Sequence, residues 1–207
     1  MARLQHKTAV ITGGTTGIGF EAARQFIEEG ASVIITGQNP ERLQAAALEL
    51  GDKAIPVQAD VRSPGDLDQL AERVKTEFGG LDILFANAGI GLFGPLEATD
   101  EAFYDAQFDI NVKGVFFTVQ KLAGLLNSGA SVILNASAVH KKGMAMASVY
   151  FATKAAVRSF ARSLAAELSS RQIRVNSVSP GLVPTAFQSK MVLPEEALAS
   201  FGTYVKQ

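Results

Sequence analysis

Short, nearly continuous apolar runs alternate along this chain with longer stretches whose apolar positions fall at helical spacing. The runs predict buried strands at Thr8 to Thr12, Ser32 to Thr36, Ala54 to Gln58, Ile83 to Ala86, Ser131 to Ala136 and Arg174 to Ser179. The stretches between them predict helices from Gly17 to Glu29, closed by Gly30, and from Pro40 to Leu50, with Pro in the first turn. Further helices are expected from about Pro64 to Phe78, about Asp100 to Leu126, and Ser148 to Leu168. Six strands alternating with five helices, each strand apolar on both faces, indicate a parallel sheet covered on both sides. The expected fold is α/β, a single doubly wound parallel sheet, with residues 1–207 forming one domain and 186–207 a tail.

Ligands of such sheets sit beyond the carboxyl ends of the strands, near the point where strand order reverses. The loops there are therefore the places to look for chemistry. The first runs Thr12-Gly13-Gly14-Thr15-Thr16-Gly17-Ile18-Gly19 and opens a helix. Its glycines permit a tight turn, and the helix N-terminus offers unbonded N–H groups to a phosphate. No Lys-Ser/Thr follows the last glycine, so it is not a Walker A loop. The third strand ends at Asp60-Val61, where a carboxylate could accept from an adenine amino group while Val61 packs on the ring; taken alone, Asp60 reads as a cap before Ser63-Pro64. Asn87-Ala88-Gly89 closes the fourth strand, and Ser179-Pro180-Gly181-Leu182-Val183-Pro184-Thr185 follows the sixth. Either could be a plain turn, or could bring backbone and the Thr185 hydroxyl close to a ligand.

Tyr150-Phe151-Ala152-Thr153-Lys154 is the most specific signal. Four residues on a helix differ by about 40° in azimuth and about 6 Å in rise, so phenol and ammonium share one face. A free tyrosine titrates near pH 10, and working near neutrality needs about 4 kcal/mol of phenolate stabilisation. One ammonium about 4 Å away, at an effective dielectric of about 20, supplies roughly that amount. An exposed Tyr/Lys pair at this spacing is common, and what gives this one weight is Ser137, thirteen positions earlier at the end of the fifth strand. Its hydroxyl can bond a substrate oxygen beside the tyrosine, and Asn111 could hold a water against Lys154.

Composition narrows the function classes. A net charge of −1 gives no electrostatic reason to expect nucleic acid or an anionic membrane. With no cysteine and only His6 and His140, neither a disulfide framework nor a histidine-rich or thiolate metal site is expected. The polar N-terminus and the lack of a long apolar run point to a cytoplasmic protein.

Together these residues resemble the short-chain dehydrogenase/reductase family, from about Lys7 to about Thr185. Thr12, Gly13, Gly17 and Gly19 match its Thr-Gly-x-x-x-Gly-x-Gly cofactor loop, Asp60 its adenine-contacting Asp, and Asn87, Ala88 and Gly89 its Asn-Ala-Gly motif. Asn111, Ser137, Tyr150 and Lys154 match its catalytic tetrad, and Pro180 and Gly181 its Pro-Gly loop. Ala86 stands where an Asn is common. The resemblance implies a Rossmann-type fold and hydride transfer between NAD(P)(H) and a carbonyl or secondary alcohol. It makes Tyr150 the general acid/base, with Lys154 lowering its pKa and contacting the nicotinamide ribose, Ser137 positioning substrate, and Asn111 supporting a proton relay. No acid ends the second strand, where Gly37 occupies the place of the family's NAD-selecting Asp. Gln38, Asn39 and Arg42 could instead bond a 2′-phosphate, so NADP(H) is expected over NAD(H).

The candidate substrate walls Gly91, Leu92, Val139, His140, Met144, Leu182, Phe187 and Met191 are mostly apolar and favour a hydrophobic ketone or alcohol. A 3-oxoacyl thioester reductase and a non-catalytic dinucleotide-binding protein are the alternatives. Apolar groups around one helix (Phe103, Phe108, Val112, Val115, Phe116, Val119) and the mostly small set on another (Ala152, Ala155, Ala156, Ser159, Phe160, Ser163) predict a homodimer or homotetramer. Family members continue through a further helix and a seventh strand. The sequence ends at Gln207 before them, so a shortened form of a longer enzyme is expected, with Arg174 to Ser179 left as an edge strand.

Overall fold

The computed structural model describes residues 2–183, so the expectations placed on Pro184, Thr185, Phe187, Met191 and the tail from Ala186 lie outside the described residues. Within it, β1 (Thr8–Ile11), β2 (Ser32–Gly37), β3 (Ala54–Gln58), β4 (Leu81–Ala86), β5 (Leu126–Asn135) and β6 (Arg174–Val178) form one parallel sheet. Its order is β3-β2-β1-β4-β5-β6, so the chain reverses direction across the sheet between β1 and β4. Each crossover carries helix: α1 (Gly17–Glu28), α2 (Pro40–Leu50), α3 (Pro64–Phe78), the pair α4 (Glu101–Phe108) and α5 (Val115–Leu122), then α6 (Ser148–Leu168). This is the doubly wound, Rossmann-type architecture that the alternation of runs predicts.

Strand residues alternate between the two faces, and the core divides accordingly. Val10, Ile34, Leu84 and Val132 pack with α3, α5 and α6, while Ala9, Ile11, Val33, Ile35 and Phe85 pack with α1 and α2. Across β1, β2 and β4 both faces are covered, which is why these strands read as unbroken apolar runs, while β6 is covered on the Val175 face and exposes Arg174, Asn176 and Val178. Full burial of each Leu, Ile or Val contributes about 1.5–3 kcal/mol, so the sheet is a rigid base for the loops at its carboxyl edge.

The helix expected from Asp100 to Leu126 is the main departure. It is interrupted by a π-helical turn, Asp109–Gly114, and closes in a short 3-10 turn before β5 begins at Leu126. The wide turn sits where the helix presses closest to its neighbours: a β carbon at Gly114 would lie 2.7 Å from Val61. Extra residues in a helical turn re-aim side chains, and here the turn contains Asn111. Among the described residues β6 is an edge strand, with Val175 buried and Val178 40% exposed.

Candidate active site

At the carboxyl edge, where strand order reverses, the loops enclose a cleft of about 490 Å³. At one end it is lined by Thr36, Gly37, Gln38, Asn39 and Arg42, and at the other by Ser137, Tyr150 and Lys154. Between them lies the glycine loop after β1. Gly13 holds φ at 65°, and a β carbon there would meet the Ala88 backbone at 3.0 Å. Any side chain at Gly19 would run into the Gly13 carbonyl and the Asn87 amide. The Asn87 side chain locks this packing by donating to the carbonyls of Thr12 (3.0 Å) and Gly13 (3.1 Å), and Thr12 Oγ1 accepts from the N–H groups of Asn87 and Ala88. The loop therefore delivers the start of α1 to the cleft. Thr16, its N-cap, makes no side-chain cap, and the first turn holds no acid. An uncapped helix start lined by Gly17 and Ile18 suits a phosphate group.

α6 carries Tyr150 and Lys154 on its inward face, with both side chains buried. Ser137, leading out of β5 and capping the short turn Ala138–Lys141, hydrogen-bonds Tyr150 through its side chain. Burial pushes the Tyr150 phenol up to about 12, and the Ser137 bond pulls against it. Burial alone pushes Lys154 down to about 8. The ammonium donates to the Asn135 carbonyl at 2.9 Å and lies 5.9 Å from the centre of the Tyr150 ring. Lys154 is thus tied to β5 beside the Tyr150 ring, and burial is the largest influence on both groups.

Asn111 is fully buried and does not line the cleft. Its amide accepts from Ile90 N–H at 2.9 Å, donates to Ile90 O at 2.8 Å and to Thr153 Oγ1 at 3.1 Å, and that hydroxyl donates to Tyr150 O. Asp60 also lies off the cleft, its carboxylate held below the usual range by the Arg62 guanidinium at 2.6 Å, while Ala59 and Val61 line the wall. Thr15, Thr16, Gly89, Pro180, Gly181 and Val183 all reach the cleft; Gly19 acts from behind it. Two residues went unnoticed in the sequence. Asn135 lines the cleft, bonds Asn87 through Nδ2 and keeps a buried Oδ1 without a partner among the described residues; Gln107 is fully buried beneath the loop after β4.

The fold and site define an oxidoreductase of the doubly wound α/β class, with a glycine-loop cleft leading to a Ser-Tyr-Lys cluster. The family model described as short chain dehydrogenase matches residues 7–196, and the chain belongs to this family. It is 46% identical over 202 residues to the oxidoreductase asL5 of Sarocladium schorii, covering 97% of this chain and 81% of that protein. Among solved structures it resembles a short chain dehydrogenase from Burkholderia cenocepacia in complex with NADP, with a TM-score of 0.87 and 36% identity, covering 95% of this chain and 82% of that one. It also resembles a 3-ketoacyl-(acyl-carrier-protein) reductase from Brucella melitensis complexed with NADH, with a TM-score of 0.87 and 31% identity over 91% and 81% of the two chains. No helix among the described residues is long and apolar enough to cross a membrane.

Proposed function

We propose that the protein transfers a hydride between NADP(H) and the carbonyl or secondary-alcohol carbon of an apolar substrate, with Tyr150 giving or taking the proton. The observation that carries this reading is the convergence of Ser137, Tyr150 and Lys154 at one end of a cleft whose middle is an uncapped helix N-terminus. The residues fit a nicotinamide dinucleotide: the Gly13–Gly19 loop for the pyrophosphate, Val61 for the adenine, Lys154 and Asn135 for the ribose and nicotinamide end. When bound, that group supplies or accepts the hydride at its ring carbon.

Ser137 and Tyr150 donate hydrogen bonds to the substrate oxygen, and in reduction Tyr150 passes its proton to that oxygen. Burial suits this direction, because a phenol held at about 12 carries the proton it must give. The Lys154 cation favours the phenolate left behind. Ser137, Tyr150 and Lys154 gathered at one end of the cleft favour catalysis over passive dinucleotide binding. Among the described residues, Ile90, Leu92, Val139 and Leu182 line the substrate end and Lys154 is the one charged side chain with them, which supports an apolar substrate.

Gln38, Asn39 and Arg42 line the other end without an acid, which supports NADP(H) over NAD(H). Arg42→Ala is expected to raise the KM for NADPH about fivefold and leave that for NADH unchanged. The exposed small residues Ala152, Ala155, Ser159 and Ser163 beside Phe116 and Phe160, whose rings lie 5.6 Å apart, support a homo-oligomer joined through α4, α5 and α6. The functional test supplies NADPH deuterated at the transferable position with apolar ketones and a 3-oxoacyl thioester, and locates the label by mass spectrometry. Deuterium on the new carbinol carbon of an apolar ketone is the expected result. Labelling of the thioester alone would move the assignment to acyl reduction, and cofactor binding without any transfer would overturn it.

A further inference from the structure

Gly89 to Leu92 line the cleft, and the segment they open, Gly89 to Gly94, belongs to no helix or strand. Its backbone is nevertheless held at every second amide. Ile90 N–H donates to Asn111, Leu92 N–H donates to Gln107 Oε1 at 3.0 Å, and Gly94 N–H donates to the carbonyl of Met146 at 2.9 Å. This is the bonding rhythm of a strand edge, with two of the three acceptors supplied by side chains. Met146 aims its carbonyl from a left-handed backbone (φ 65°), a conformation unusual for a residue with a β carbon, four residues before Tyr150. Between the bonded Leu92 and Gly94 stands Phe93, 7% exposed, its ring 5.4 Å from that of Tyr150.

Gln107 is fully buried near the end of α4, directly before the π-helical turn that carries Asn111. Burying an amide is unfavourable unless it is hydrogen-bonded, and an apolar residue of similar size would suit α4 packing as well. The Leu92 amide is the bond that offsets that cost; Nε2 has no partner among the described residues. We infer that Gln107 is a positioning residue: through Leu92 it fixes the loop that holds Phe93 against the Tyr150 ring and shapes the substrate end of the cleft. Asn111 and Gln107 then act as a pair, one at the start of the loop and one at its middle.

The kinetic part of the test rests on the role proposed for Tyr150, and the exchange part does not. Amide hydrogen exchange is followed residue by residue in the full chain, in the wild type, in Gln107→Leu, which lacks the acceptor, and in Gln107→Glu, which keeps an accepting oxygen in either protonation state. Leu92 N–H is expected to be protected in the wild type and in Gln107→Glu. In Gln107→Leu it should exchange about tenfold faster, with core amides such as Val132 unchanged. With a carbonyl substrate, Gln107→Leu should lower kcat/KM about tenfold at unchanged cofactor Kd, and Gln107→Glu should restore it. Exchange of the wild-type Leu92 amide at exposed-loop rates would overturn the inference, as would loss of its protection in Gln107→Glu. Unchanged exchange and kcat/KM in Gln107→Leu would do the same. If Gln107→Leu does not fold, the wild type and Gln107→Glu decide the question. Protection as expected without ketone turnover would count against the proposed function and not against Gln107.

Discussion

Lys154 carries its charge where burial works against it, and that has a signature in stability. Its folded value of about 8 lies below the ordinary 10.5. Between those pH values the unfolded chain binds a proton that the folded protein does not, so this contribution to stability rises with pH across the window and is lost as pH falls through 8. The size is about 3 kcal/mol. Tyr150 runs the other way: raised from 10 to about 12, it contributes stability that is lost as pH rises through that range. Lys154→Met keeps the alkyl stem and removes the buried ammonium. Urea unfolding at pH 7 and pH 10 should show the variant gaining on the wild type at pH 7, with the gap shrinking by about 2.5 kcal/mol by pH 10. A gap that does not change with pH would mean that the lysine is not desolvated.

Elements inherit their precision from such residues. The loop between β1 and α1 works because nothing but hydrogen fits at Gly19, against the Gly13 carbonyl and the Asn87 amide. Gly19→Ala is expected to weaken dinucleotide binding about tenfold or more and to lower Tm by several degrees, since the methyl must displace backbone. Gly124→Ala, with open space around it, should change stability by no more than about 0.5 kcal/mol. Calorimetry and cofactor titration check both. Where local chemistry dictated an element, its bounds were legible in the sequence. α2 and α3 begin at a Pro behind the capping side chains of Asn39 and Ser63, and both ranges match the expected ones. Tyr150, Lys154 and Ser137 came together for the same reason, because strand ends and helical spacing follow from sequence alone. The π-helical turn was not legible: Phe108, Val112, Val115 and Val119 continue a helical pattern, and the widening answers to Val61 and Ile90, which are distant in sequence. Asp60 read as a cap on position alone and as an adenine contact only by the family resemblance; in the structure Arg62, two residues on, takes its carboxylate. The pKa of Tyr150 followed burial, which no spacing rule contains.

On the scale of the whole molecule, the sheet places the loops after all six strands around one cleft, and α6 brings the tyrosine to its end. The same helix turns Ala155 and Ser159 outward, on the face proposed to meet a second copy. Sedimentation at micromolar concentration should give a dimer or tetramer, and Ala155→Glu combined with Ser159→Glu should shift it to monomer by burying like charges at the contact. A wild-type monomer would contradict that face. The central claim, that this cleft moves a hydride and Tyr150 moves the proton, meets its most direct test in Tyr150→Phe. NADPH binding and ketone-dependent NADPH oxidation are measured side by side in wild type and variant. The account predicts a Kd for NADPH within about twofold of the wild type and a turnover lower by about 10²–10⁴. A Phe variant that binds NADPH and keeps more than about a tenth of wild-type turnover would contradict it.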